Sequence, residues 1–141
     1  MRQLVLRSVD RASDLVILHT DVKSAKCAEI AADPRVAILA WNPDHLLQIR
    51  LSGRAELLGA YAAQKAWSDL PFASQGNYGV SPAPGTPIAK PHAYQREADP
   101  KRLAVVSVKI DAIDAVHLAE PRHIRAKFRQ DDGWAGRWVA P

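Results

Sequence analysis

The chain of 141 residues is poor in the features that mark several large protein classes. It has one cysteine, Cys27, which excludes a disulfide framework and a cysteine zinc site and suits a reducing cytoplasm. No apolar run approaches the ~18 residues needed to span a bilayer, so no membrane partner is expected. The opening Met1 to Asp10 lacks the long apolar stretch and small-residue cleavage site of a secretion signal. Seven glycines and no low-complexity tract argue against fibrous or disordered chains. Aromatics are scarce as well. Four Trp, three Tyr and two Phe, several at turn or helix positions, are a thin supply for stacking bases. The net charge of +4 comes from 19 basic and 15 acidic residues mixed along the chain, unlike the clustered bases of a nucleic-acid binder. Motifs of common enzymes are absent too: no Gly-rich phosphate loop, no HExxH, no GxSxG and no His pair at helical spacing. No metal site is expected.

What is present is the pattern of one globular domain over residues 1–141, rich in strands. Leu4–Val9 and Leu15–His19 flank a polar turn and read as a hairpin. Ser24 is the expected N-cap of a helix that Asp33-Pro34 stops. Val36–Trp41 is nearly continuous in apolar residues, as a strand buried on both faces would be. Leu46–Leu58 alternates, and Tyr61–Leu70 reads as an amphipathic helix. Pro71–Pro91 holds five of the ten prolines and is expected to be a functional loop or an arm on a second subunit. Leu103–Ile110 and Val116–Leu118 read as two strands. His123–Gln130 and Trp134–Val139 read as a hairpin across Asp131-Asp132-Gly133. The alternation in His123–Arg129 puts its bases on one face, either a solvated wall or a phosphate-facing one.

Three segments carry candidate chemistry. Arg2-Gln3-Leu4-Val5-Leu6-Arg7 is a strand with a cation near each end. His19-Thr20-Asp21-Val22-Lys23-Ser24-Ala25-Lys26 passes from a strand into a helix start, where hydroxyls, a lysine and free N–H groups form a natural phosphate cradle. Its blander reading is an N-cap with surface lysines. Gln48 lies inside an apolar strand and needs a partner for its amide.

These segments in order, followed by Asp33-Pro34-Arg35-Val36-Ala37, Gln48-Ile49-Arg50-Leu51-Ser52-Gly53, Pro84-Gly85-Thr86-Pro87 and a closing His123, Arg125, Ala126, Phe128, Trp138 and Pro141, resemble the pyridoxamine 5′-phosphate oxidase family, more closely its bacterial branch of FMN-binding split-barrel proteins. The resemblance implies a mainly β fold (α+β), an antiparallel split barrel with about two to four flanking helices. Met1 lies just ahead of what resembles the second barrel strand, so the expectation is either a late start or a shortened barrel lacking the usual first strand. It also implies FMN as cofactor, a homodimer, a cytoplasmic enzyme and a small-molecule substrate for an oxidoreductase. The alternative is a non-catalytic flavin or haem carrier on the same barrel.

By the same resemblance Arg2 reaches the FMN phosphate, and Leu4, Val5, Leu6 and Arg7 lie along the flavin. His19 and Thr20 touch the cofactor, Ser24 and Lys26 bind phosphate, and Gln48 meets the isoalloxazine edge. His117 and Lys127 come from the second subunit. Ala25 stands where the oxidases commonly carry a base. Leu70 stands where a substrate-phosphate arginine is expected, and His123-Ile124-Arg125 replaces an Arg-x-His pair. His123 and Arg125 are the candidates for acting on substrate.

Overall fold

The computed structural model describes residues 3–141. Nine strands and three α-helices follow the sequence pattern closely at the start. β1 (Leu6–Asp10) and β2 (Leu15–Asp21) form the expected antiparallel hairpin. Its turn is local chemistry: Asp10 Oδ1 accepts from the backbone N–H groups of Ala12 and Ser13, and Asp14 takes a left-handed φ of 53°. α1 (Ala25–Ala32) starts at Ser24 and ends at Asp33, ahead of Pro34. β3 (Arg35–Asn42) and β4 (Leu47–Leu57) pair antiparallel.

β7 (Leu103–His117) is the centre of the sheet. Its 15 residues are one strand where the sequence predicts two, because its halves have different neighbours. The first half pairs with β2, the second with β8 (Ile124–Arg129), and β4 runs alongside both. The sheet order is β1-β2-β7-β4-β3, with β8 on β7 and β9 (Arg137–Val139) on β8. This is the mainly antiparallel, unclosed barrel that the sequence predicts. β4 shifts register between Ser52 and Gly53, where a Cβ on Gly53 would lie 2.0 Å from the carbonyl oxygen of Lys109. Only glycine lets the two backbones approach so closely at this bulge.

Val16, Leu18, Ala55, Val106, Val108 and Ile110 make the buried core between the sheet faces. Two further expectations are corrected. β3 is an edge strand covered on one face alone: Val36 and Ile38 pack on the core, while Leu39 and Trp41 are 54% and 48% exposed. Trp134 is not in the last strand; a left-handed φ of 63° turns it back to pack against the core, and β9 begins three residues later.

The outer face of this half of the sheet carries charge. Arg50 lies opposite Asp114 on β7, and Asp114 opposite Lys127 on β8. The Asp114 carboxylate accepts from Arg125 at 2.9 and 2.8 Å and from Arg50 at 2.7 Å. Arg125, then Arg50, hold its pKa down to about 2, against 3.8 ordinarily. A depressed carboxylate favours folding above its unfolded pKa and loses that contribution as pH falls through its folded value. Asp114→Asn should therefore be less stable than the parent at pH 7. The gap in urea midpoint should close as pH falls from about 4 to 2; a gap independent of pH would show that charge is not its source.

The segment between β4 and β7 holds α2 (Ala60–Ser68), α3 (Phe72–Gln75) and the paired two-residue strands β5 (Val80–Ser81) and β6 (Gln95–Arg96). The proline-rich stretch is anchored to its own chain by Tyr78, 5% exposed, which packs with Leu70, Leu103 and Trp67. Among the described residues no helix is long and apolar enough to cross a membrane.

Candidate functional site

The end of β2, the start of α1, the stretch leading into β1 and the turn around Tyr78 enclose a cleft of about 510 Å³. Leu4, Val5, Arg7, His19, Thr20, Ser24 and Lys26, all singled out by sequence, line it. Local folding places them: β1 and β2 are hydrogen-bonded neighbours, and the turn after Asp21 carries the chain directly into α1.

Ser24 takes the N-cap backbone conformation at φ −69° and ψ 137°, yet its side chain makes no capping hydrogen bond. An N-cap serine normally accepts from a first-turn N–H. Here Ser24 and Lys26, two residues apart at the start of α1, both line the cleft. Thr20, 5% exposed, adds a second hydroxyl. Two hydroxyls, a helix N-terminus and an ammonium make a cradle for an anion.

His19 stands in the partition between this cleft and a second of about 530 Å³. Burial, reinforced by the charge of Arg7, lowers its pKa, so the imidazole is neutral at pH 7. Its Nδ1 is buried without a hydrogen-bond partner among the described residues. Arg7 lines both clefts and donates to the Tyr78 hydroxyl at 3.2 Å.

Beneath the cleft lies Asp21, whose side chain is 4% exposed. Its Oδ1 accepts from the backbone N–H of Lys23 and from Arg102 Nε, at 2.8 and 3.0 Å. Its Oδ2 accepts from Arg102 Nη2 at 2.8 Å and from the backbone N–H of Gly79 at 3.2 Å. Arg102 also donates to the Val80 carbonyl. Gly79 has φ 123°, and a Cβ there would collide with the Glu97 carbonyl. Glycine is required by both conformation and space. This latch fixes the wall that Asn77, Tyr78 and Pro84 contribute. Sequence reasoning missed Asp21 and Tyr78 as site residues. The signals were a buried-type aspartate between Thr20 and the helix cap, and a lone Tyr-Gly in a proline-rich stretch.

Other predicted residues lie elsewhere in the chain. Arg2 is outside the described residues. Leu6 pairs with Leu18 and does not line the cleft. Gln48 is exposed on the outer sheet face, opposite Trp41 and Val116. His117, the next residue on β7, points to the other face and lines a cleft with Asp44 and His45. Lys127 shares the outer face with Asp114. His123 is exposed just before β8, and Arg125 is committed to Asp114. Among the described residues no group of three His, Cys, Asp or Glu could hold a metal.

Residues 1–59 match the model of the family described as pyridoxamine 5′-phosphate oxidase, FMN-binding domain. No curated protein matches. Solved structures resemble the chain over nearly its full length. A pyridoxamine 5′-phosphate oxidase-related, FMN-binding protein from Nostoc punctiforme superposes with a TM-score of 0.81 at 23% identity, covering 99% of this chain and 80% of that one. PhzG from Burkholderia lata, solved with tetrahydrophenazine-1-carboxylic acid, gives 0.79 at 18% identity, over 99% and 74% of the two chains. A Clostridium acetobutylicum protein related to general stress protein 26, of the pyridoxinephosphate oxidase family, gives 0.60 at 10% identity over 92% and 75%. The motif resemblance is thus borne out over residues 1–59, and the split-barrel fold over almost the whole chain. The cofactor that the motifs imply, FMN, is the one the matching family model is named for.

Proposed function

We propose that this chain binds FMN in the cleft above Asp21 and acts, as a cytoplasmic homodimer, as an oxidoreductase on a small molecule. The observation that carries the reading is the N-cap serine without a capping bond. Ser24, Thr20 and Lys26 converge on one opening at the N-terminus of α1. The donor set suits the phosphate of FMN, a dianion that charge-assisted hydrogen bonds hold well. Arg2 belongs to the same group in this reading, and the backbone from Leu4 to Arg7 lies along the flavin. Gln48, exposed on the outer sheet face away from this cleft, would meet an isoalloxazine edge only from a second copy.

Bound FMN supplies a hydride acceptor, and the chain supplies position and a dry face. His19, neutral and half-buried, walls the ring side of the cleft without adding charge. His117 and Lys127 do not line the cleft above Asp21, and in this reading they reach the flavin from a second copy. His123 would reach substrate in the same way, and Arg125 only by leaving Asp114. The exposed Leu39 and Trp41 on the outer face of β3 give that copy an apolar surface to cover. Light scattering should find a dimer at micromolar concentration with flavin bound; a stable monomer would remove the shared-site arrangement.

The purified protein should be yellow, or take up FMN stoichiometrically, and the bound flavin should be reduced by a substrate and reoxidised in air. A colourless chain that takes up no FMN refutes the assignment, while flavin that is held but never reduced by any substrate makes it a carrier. Lys26→Ala should weaken FMN by about 10- to 150-fold, for one lost charge-assisted bond of roughly 1.5–3 kcal/mol. Riboflavin, which lacks the phosphate, should be unaffected. Equal losses for the two ligands would sink the phosphate assignment.

A further inference from the structure

We propose that the cavity in the fork between β2 and β8 is a further binding site, for an uncharged apolar molecule of about ten non-hydrogen atoms that carries one acceptor oxygen. The fork is built into the sheet. β2 pairs with β7 as far as Lys109, β8 takes over from Ala112, and the two strands part around a space of about 280 Å³. None of its lining residues belongs to the cleft above Asp21. β2 contributes its first residues, Leu15 and Val16, to the fork and its last ones to that cleft. The inference therefore stands without the flavin reading.

The walls define the occupant. Leu15, Val16, Leu51, Ile110 and Phe128 are apolar, and Trp134, turned back by its left-handed φ of 63°, adds an indole. Protein interiors seldom leave voids much larger than a water molecule, and a void with apolar walls stays dry. An apolar body fits here where water does not. A cavity of about 150 Å³ holds a six-carbon ring, which scales to about ten non-hydrogen atoms in this one. The charged lining residues, Asp10, Arg11 and Asp14, all belong to the β1–β2 turn. Asp10 accepts from two turn N–H groups, and Asp14 pairs with Lys109 at 3.3 Å. Two acids thus stand against two bases, and the mouth has no net charge with which to select an ion. The donor among the apolar walls is the Trp134 indole N–H, which has no hydrogen-bond partner among the described residues. A buried indole N–H normally finds an acceptor, and a ketone, ester or alcohol oxygen would supply it.

The test uses the full chain, with FMN saturating and without it, and three probes of one chain length: 2-octanone, octanoate and octylammonium. Binding is read by calorimetry. The ketone should bind about tenfold or more tighter than either ion, because a charge drawn into an apolar cavity costs more than a carbonyl that gains a donor. Its affinity should be the same with and without FMN. Val9→Trp, at a lining position that is 54% exposed, leaves the core packing alone and should plug the mouth, removing the binding. Trp134→Phe keeps a ring and loses the donor, and should weaken the ketone by about two- to tenfold. An ion bound as tightly as the ketone, displacement of the ketone by FMN, or no binding by the parent at millimolar concentration would overturn the site. So would unchanged binding in Val9→Trp. Trp134→Phe equal to the parent would overturn the acceptor oxygen as part of the ligand.

Discussion

Asp21→Ala is expected to destabilise the fold by about 3–5 kcal/mol, the range for removing one partner of a buried ion pair. The side chains of Asp21 and Arg102 are 4% and 12% exposed, so the guanidinium left behind could not be rehydrated without opening the structure. More than the pair is at stake. The same carboxylate accepts the backbone N–H groups of Lys23 and Gly79, and each would be left without an acceptor. Asp21→Asn preserves shape and can still accept from one side, but it cannot match a bidentate guanidinium. It should fall between the parent and the alanine variant. Urea unfolding followed by far-ultraviolet dichroism measures both. A loss under about 1 kcal/mol for Asp21→Ala, the level of an exposed pair, would show that the latch is peripheral. FMN affinity should fall alongside stability, because the latch holds the Tyr78 wall of the cleft.

Which parts of this arrangement were legible in the sequence follows from distance along the chain. The hairpin, the helix cap and the stop at Asp33-Pro34 are decided by neighbours within a few residues, and they stand where the pattern puts them. The cradle was legible for the same reason: Thr20, Ser24 and Lys26 occupy a single strand-to-helix junction. The latch was not. Asp21 reaches Arg102 across 81 positions, and Arg7 reaches Tyr78 across 71. No local signal encodes such pairings. The long β7 was misread because Asp111 and Asp114 interrupt its apolar run. Asp114 is tolerated mid-strand because Arg50 and Arg125 approach it from the strands on either side. β3 was misread in the opposite sense. Its apolar run suggested burial on both faces, but Leu39 and Trp41 point outward.

The chain should be a poor pyridoxamine 5′-phosphate oxidase even when saturated with FMN. That reaction needs a cationic clamp for the substrate phosphate, separate from the cradle for the cofactor. By the family resemblance, Leu70 and His123 stand where two of the clamping arginines are expected. Leu70 is 7% exposed and packs with Tyr78 and Leu103, so it serves the fold and offers a phosphate nothing. Arg125 cannot step in cheaply, since two hydrogen bonds commit it to Asp114. Asp69, on the rim of the adjoining cleft, adds repulsion for a dianion. Losing two charge-assisted contacts of roughly 1.5–3 kcal/mol each lowers affinity by about two to four orders of magnitude. A steady-state assay of pyridoxal 5′-phosphate formation tests this directly. The expected outcome is a Michaelis constant raised far above the micromolar range, with Lys65→Ala making it higher still and Asp69→Asn bringing it down. Turnover with a micromolar constant would instead place the clamp on residues of the second copy, with Lys127 the first to examine.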